Sequence, residues 1–428
     1  MCRPTPLDAW AAGRIAPETL AEYQLRKLRE TIGRARSHSR FFAERLHGMG
    51  EQSIRSLADI ERLPFTTPAD LRRDAGALLC VSQSEVARIV TLKTSGTTGA
   101  PKRAFFSAED QELTIDFFHH GISTLAGPED RILIALPCQT PGSVGDLLAA
   151  GIRRLGATPV PFGLVSDPAA ALAAIHREHV TCAVGMPVEL LAIARCGAAP
   201  APRLRAAALC SDHAAGSVVE ALKQAWGCEV FEHYGSTEMG LGGGVDCAAH
   251  AGYHLRAADL YFEVVDPADG RPVAAGESGE VVFTTLTRRA MPLIRYRTGD
   301  ISRVVPGRCT CGSLLPRLDR VRYRVDGVVP IGTQGSLSMA MLDEALFAIP
   351  GLIQFRATMR AAGPATLELT VYTAGPQAVF LQRAVHRALD EVPMIRRSVQ
   401  AGALRVVVEV AGARPPDAGA KRRIEWIA

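Results

Sequence analysis

Residues 94–103 read TSGTTGAPKR, from Thr94 to Arg103. Thr94, Ser95, Thr97 and Thr98 alternate with Gly96 and Gly99, and Pro101 ends the run before Lys102 and Arg103. On one side, residues 87–93 (ARIVTLK) alternate like a strand; on the other, residues 105–118 (FFSAEDQELTIDFF) have the form of a helix with Ser107 at its head. A loop of glycines and hydroxyls on such a strand–helix junction can turn backbone N–H and side-chain O–H groups onto phosphate oxygens, with Lys102 as counter-charge. It is not the ordinary P-loop, which needs glycine followed directly by lysine and a hydroxyl residue. The competing reading is a solvated turn, because Gly, Ser, Thr and Pro dominate turns.

Working outward, residues 14–48 carry apolar positions at helical spacing and read as a helical segment on the main body. Beyond the loop, the runs 131–137, 157–163, 180–187 and 204–212 read as buried strands with helical patterns between them. Strand and helix in alternation imply parallel sheets covered by helices, with ligands beyond the carboxyl ends of the strands. From Tyr261 the pattern becomes short alternating strands separated by turns, the mark of a small antiparallel sheet or barrel. Past Arg320 comes a strand near Val328, a helix over 338–349, strands over 352–360 and 365–373, a helix over 377–392 and a strand over 404–410. That βαββαβ order is the ferredoxin-like arrangement. The expected fold is therefore α/β, a large N-terminal domain over 1–320 with a small β-barrel-like sheet at 245–318. A mobile α+β ferredoxin-like domain is expected over 321–428.

Two further stretches carry chemistry. In EVFEHYGSTE, over 229–238, Tyr234 ends a strand and Gly235-Ser236-Thr237-Glu238 forms a turn with a carboxylate at its tip. A nucleotide site needs an aromatic face, a hydroxyl for phosphate and a carboxylate for Mg²⁺, and Tyr234, Thr237 and Glu238 could supply them. The plainer reading is a buried tyrosine beside a solvated acidic turn. In YRTGD, over 296–300, a tight turn presents Asp300, which could accept hydrogen bonds from a ribose diol; Gly-Asp turns are also common at strand ends.

These three motifs, in this order, resemble the adenylate-forming superfamily of acyl-CoA synthetases and luciferases. The lead-in over 53–74 and the cysteine set below resemble its phenylacetate-CoA ligase branch. The resemblance implies a phosphate loop at Thr94–Lys102, an adenine contact at Ser211 and Asp212, and ribose binding by Asp300. Tyr323-Arg324-Val325-Asp326-Gly327 is similar to the hinge motif, keeping Arg324 and the hinge residue Asp326 while Tyr323 and Gly327 depart from it. The tail 414–426 (RPPDAGAKRRIEW) is similar to the final motif, in which Lys421, rather than Arg422, would meet the attacking carboxylate and the α-phosphate. The implied activity is an ATP-dependent acid–CoA ligase using ATP/AMP, Mg²⁺ and CoA, acting on a small-molecule carboxylic acid through an acyl-adenylate, and the branch implies a homodimer. The altered hinge keeps open an enzyme that passes the acyl group or AMP to another acceptor; a catalytically silent nucleotide-binding subunit is the third reading.

Composition agrees with a soluble enzyme of small anionic ligands. The 428 residues are 47% hydrophobic and 21% charged, with a formal charge of +4. No basic stripe points to nucleic acid, no run has the length of a membrane span, and the N-terminus lacks the form of a signal peptide. Seven of the ten cysteines lie scattered from Cys2 to Cys228, which points to a reducing cytoplasm. Cys247, His254, Cys309 and Cys311 instead flank one predicted sheet and could close a structural Zn²⁺ shell, with His250 as a competing ligand. Buried apolar cysteines beside a surface histidine are the alternative.

Overall fold

The computed structural model describes residues 6–16, 18–92, 101–196, 204–321, 323–331, 335–361, 364–373, 378–412 and 422–427. The chain forms two compact units: residues 1–127, 150–155 and 233–320 make the first, and 128–149, 156–232 and 321–428 the second.

In the first unit, the helix Leu20–His38 starts at a capping box: Thr19 Oγ1 accepts from Glu22 N, and the Glu22 carboxylate accepts from Thr19 N at 2.9 Å. The strands Arg88–Leu92 and Lys102–Phe106 pair antiparallel, with Leu92 opposite Lys102. The glycine–hydroxyl run therefore joins two strands, which corrects the expected strand–helix junction. KRAFF finds partners for its backbone in RIVTL, and the helix Ala108–Ile122 begins only after Ser107. Its first turn is closed by Ser107 and by Asp110, whose carboxylate also accepts from Arg289 N at 2.7 Å.

The second half of this unit is antiparallel. Leu260–Val265, Gly279–Thr285 and Tyr296–Ser302 form a meander. Among the described residues it is an open sheet and not a closed barrel. A smaller set, Gly244–Val245, Tyr253–Leu255, Arg317–Leu318 and Val304–Val305, pairs in that order.

The second unit contains the parallel sheet. Thr158–Pro161, Arg131–Ala135, Cys182–Gly185, Ala206–Leu209 and the start of Glu229–Tyr234 lie side by side in that order. The helices Pro168–Arg177, Pro187–Arg195 and Gly216–Trp226 connect its strands, as apolar runs alternating with helical patterns require. Residues 321–428 belong to the same unit. Leu190, Leu191 and Trp226 share one continuous apolar core with Phe347, Phe355, Met359 and Ile424. Arg195 reinforces it, donating to the carbonyls of Phe347 at 2.9 Å, Ile349 at 3.2 Å and Leu352.

The C-terminal sheet runs Leu404–Ala411, Ala365–Thr373, Leu352–Arg360, Ile424–Ile427. The strand near Val328 does not enter it: Val328–Pro330 pairs with Ser336–Ser338 as a separate hairpin, and the last strand of the chain takes the place parallel to Leu352–Arg360. The expected helix over 377–392 ends at Asp390, and Pro393 starts a second one to Gln400, since proline is suited to a first turn and not to a helix interior.

Candidate active site

Glu238 is the centre of the first unit's polar cluster. It follows Thr237 in a single 3-10 turn, Thr237–Met239, which Ser236 closes by accepting from Met239 N at 3.3 Å. The carboxylate is buried, and Lys102 Nζ lies 2.6 Å from its Oε1. Tyr296 donates its hydroxyl to the same oxygen at 3.1 Å, and Arg288 donates to the Glu238 carbonyl at 2.6 Å. Burial alone would raise the Glu238 carboxyl, but the charge and hydrogen bond of Lys102, with Tyr296, outweigh it and hold the group below its ordinary range. Burial pulls the Arg288 guanidinium down to about 10, so it remains a cation at neutral pH. Arg288 and Tyr296 carry no site role in the sequence reading. Tyr296 stands at a fixed offset from Asp300, and that offset is the one signal that could have found it.

Tyr234 and Asp300 make a second buried pair, the phenol donating to Asp300 Oδ2 at 2.9 Å. Tyr234 stacks on Tyr253 with ring centroids 5.8 Å apart. Asp300 lies not in a tight turn, as expected, but inside the strand Tyr296–Ser302, where the register with Gly279–Thr285 slips. Gly299 there takes φ +77°, its N–H bonded to Glu280 at 2.9 Å, and Asp300 N donates to Thr298 Oγ1 at 3.0 Å. The bulge re-aims Asp300 without ending the strand. Gly235 is required by crowding, because a Cβ there would lie 2.7 Å from the Leu241 carbonyl oxygen. The glycine run after Glu238 is equally tight: a Cβ on Gly242 would meet the Phe117 ring at 2.4 Å.

Lys102, Tyr234, Gly235, Ser236, Thr237, Glu238 and Asp300 thus come together in one unit. Ser211 and Asp212 lie in the other, just past the carboxyl end of Ala206–Leu209. Ser211 adopts φ +70°, a strained conformation for a residue with a side chain, and Asp212 accepts from His213 N at 2.9 Å. Arg324 and Asp326 pair with each other at 3.1 Å on an exposed 3-10 turn. Thr94, Ser95, Gly96, Thr97, Thr98, Gly99 and Lys421 lie outside the described residues. Arg422 is described, and its guanidinium is committed to a buried ion pair with Asp343.

The four metal-ligand candidates converge on the small sheet. Cys247 follows Gly244–Val245, His254 lies within Tyr253–Leu255, and Cys309 and Cys311 fall between Val304–Val305 and Arg317–Leu318. Their ligand atoms lie within 4.8 Å of one another, Cys247 Sγ 3.7 Å from Cys309 Sγ and Cys311 Sγ 3.4 Å from His254 Nε2. Backbone N–H groups of Ala249 and Ser313 point at the Cys247 and Cys311 sulfurs. Three sulfurs and one imidazole nitrogen fit tetrahedral Zn²⁺ with no open position. Burial pushes the Cys247 thiol up to about 12, so a thiolate there needs a bound cation. His250 is outside this set, its Nδ1 lying 2.6 Å from Asp246 Oδ2. A second group, Asp116, His119 and His120, also comes within 4.8 Å, but the Asp116 carboxylate is already held by Trp10 Nε1 at 2.8 Å and Arg14 at 2.9 Å.

Comparison with known proteins adds independent weight. Residues 80–286 match the AMP-binding enzyme family. The chain is 28% identical over 326 residues to the phenylacetate-coenzyme A ligase of Escherichia coli, covering 73% of each chain. It is 29% identical over 315 residues to the Thermus thermophilus enzyme of the same name, covering 72% of this chain and 70% of the other. The fold is similar to a crystal structure of 2-hydroxyisobutyryl-CoA ligase in its postadenylation state, with TM-score 0.78 at 21% identity, over 95% of this chain and 89% of that one. With motif residues gathered around Glu238 and Asp300, these likenesses support the adenylate-forming superfamily, phenylacetate-CoA ligase-like branch, as the family this chain resembles.

Proposed function

We propose that this protein joins a carboxylic acid to coenzyme A at the expense of ATP, through an enzyme-bound acyl-adenylate. The observation that carries the reading is the assembly of Lys102 and Glu238, 136 residues apart, into one partly buried ion pair in the unit that also holds the Tyr234–Asp300 pair. Relatives named as phenylacetate-coenzyme A ligases support the same chemistry. Aryl and arylacetic acids are therefore the first substrates to test.

In the first step a carboxylate oxygen attacks the α-phosphorus of ATP; the new O–P bond forms as the α–β bridging bond breaks, and pyrophosphate leaves. The loop Thr94–Lys102 receives the departing phosphates, Asp300 accepts hydrogen bonds from the ribose diol, and Ser211 and Asp212 border the adenine. Lys421 pairs with the attacking carboxylate and the α-phosphate. Catalysis of this kind is positioning plus charge stabilisation, and no side-chain nucleophile is needed. In the second step the CoA thiolate attacks the acyl carbonyl, the C–S bond replaces the anhydride C–O bond, AMP departs, and the thiol proton passes to solvent. Rotation of residues 321–428 about Asp326 separates the two steps.

Glu238 and Thr237 would hold Mg²⁺, which neutralises phosphate charge when bound; Lys102 must then turn from the Glu238 carboxylate toward the phosphates. Cys247, His254, Cys309 and Cys311 would hold a structural Zn²⁺ that pins the small sheet. We place the protein in the cytoplasm as a homodimer; no helix among the described residues is long and apolar enough to cross a membrane. Pyrophosphate release across a panel of carboxylic acids, with and without CoA, tests the reading. Release that depends on an acid and yields a thioester with CoA supports it. Hydroxamate-trapped adenylate without CoA-dependent AMP release moves the acyl group to another acceptor, an outcome that the altered hinge at Tyr323 and Gly327 keeps in view.

A further inference from the structure

The helix Pro6–Ile15 has ten residues, too few to persist alone in water, so the rest of the first unit must hold it. Leu7, Trp10 and Ala11 form its buried face, with the Trp10 ring 5.9 Å from that of Phe117. Polar contacts fix it at two places. Toward its C-terminal end, Trp10 Nε1 and Arg14 donate to Asp116 at 2.8 and 2.9 Å, and Arg14 also donates to the buried Asp259 at 2.8 Å. In the first turn, Asp8 Oδ1 accepts from the Ser313 hydroxyl at 2.8 Å and from Leu314 N–H at 3.1 Å.

Ser313 and Leu314 come just after Cys311, on the loop that runs from Val304–Val305 to Arg317–Leu318 and also carries Cys309. The backbone of this loop turns on itself: Gly312 N–H bonds to the Cys309 carbonyl at 3.0 Å and Leu315 N–H to Ser313 Oγ at 3.2 Å. Its two sulfurs are where it meets Cys247 and His254. Neutral thiols make only weak hydrogen bonds, whereas a Zn²⁺ shell would fix both sulfurs and, with them, the donors on Ser313 and Leu314.

We infer that the centre formed by Cys247, His254, Cys309 and Cys311 docks the N-terminal helix as well as pinning the small sheet, with Asp8 as the link. Zinc sets the loop that carries Cys309 and Cys311, and that loop holds the helix by its first turn through Ser313 and Leu314. The inference rests on the zinc assignment and is independent of which acid or acceptor the enzyme uses. Order in residues 6–15 then needs both a filled centre and the Asp8 carboxylate, because a helix this short frays once one of its two ties is lost.

Hydrogen exchange of the full-length protein, read by mass spectrometry with zinc content measured in parallel, tests this. A hydrogen bond to a charged acceptor corresponds to roughly 10- to 100-fold in an opening equilibrium. Removal of zinc with EDTA should therefore speed exchange over residues 6–15 by on the order of 10-fold or more, with the helix Leu20–His38 unchanged. Asp8→Ala should do the same while keeping its zinc, and chelation should then add little. Alanine is the better helix former, so that result could not come from a lower intrinsic propensity. Ser313→Ala, which alters only the loop, should give a smaller acceleration in the same residues. Unchanged protection of residues 6–15 in the chelated protein overturns the inference. So does an Asp8→Ala protein that keeps both its zinc and wild-type protection, or one that loses its zinc. Should EDTA unfold the whole protein, His254→Ala carries the metal arm, with the same expected acceleration and the same overturning result. A wild-type protein that binds no zinc and still protects residues 6–15 strikes the zinc assignment itself, and the metal analysis tells that failure apart from the others.

Discussion

Lys102 Nζ lies 2.6 Å from Glu238 Oε1, and among the described residues the Tyr296 hydroxyl donates to the same oxygen. The pair joins the lysine that follows the glycine–hydroxyl run to the residue that ends the second motif. Each is the other's counter-charge, so each substitution has a different signature. Lys102→Met leaves a buried carboxylate without its cation and should cost about 3–5 kcal/mol, read as a fall in Tm. Glu238→Gln keeps the shape and should remain folded while acid-dependent pyrophosphate exchange falls by on the order of 100-fold.

The same pair has a pH consequence with a definite sign. The Glu238 carboxyl is held below its ordinary value in the fold, since Lys102 and Tyr296 outweigh burial. Its stabilising contribution is present above the unfolded carboxyl pKa and is lost as pH falls through the folded one. Wild-type and Glu238→Gln proteins followed by thermal melts should therefore converge at acid pH; parallel curves throughout would contradict the coupling.

His233 acts in a neighbouring window. Burial, with the positive charge of Arg256 behind it, pulls this imidazole from 6.5 to about 4. Its ring lies 6.3 Å from that of Phe117 and 6.2 Å from that of Phe118. Between those two values the unfolded chain binds a proton that the fold refuses, so stability is complete above 6.5 and declines as pH drops toward 4. The decline should reach about 3 kcal/mol. His233→Gln should flatten this part of the stability–pH curve, measured by urea unfolding at fixed temperature.

Asp300 can be tested by binding alone. Hydrogen bonds to a charged acceptor contribute about 1.5–3 kcal/mol, so Asp300→Ala should weaken AMP binding by roughly 10- to 100-fold in calorimetry. Tyr234→Phe removes one donor from Asp300 and leaves its carboxylate in place, and should weaken binding less.

For the cysteine set, His254→Ala should abolish stoichiometric zinc in elemental analysis, whereas His250→Ala should leave it intact. Chelation should lower Tm while the turnover of the molecules still folded is unchanged. Lost turnover at unchanged Tm would assign the metal a chemical role instead.

Periodicity and short motifs were enough to establish much of this. Buried apolar runs at 131–137, 180–187 and 204–212 alternating with helical patterns leave a parallel, helix-covered sheet as the way to satisfy both backbone and side chains, and the structure has it. The glycine–hydroxyl run, Glu238 and Asp300 could be singled out as candidates because phosphate, metal and ribose chemistry calls for particular residue types at fixed spacing, and the structure brings Lys102, Glu238 and Asp300 into one unit. Tertiary structure alone decided how those pieces meet. Nothing local tells Lys102 to pair with Glu238, Tyr296 to share the same oxygen, or Arg422 to pair with Asp343, for such contacts arise only when distant segments pack. The strand Lys102–Phe106 was hidden because an exposed-looking Lys-Arg start becomes a strand only when Arg88–Leu92 supplies its hydrogen bonds. The place parallel to Leu352–Arg360 was likewise misread: Val328–Pro330 and Ile424–Ile427 are both short, and pairing rather than sequence pattern chose between them.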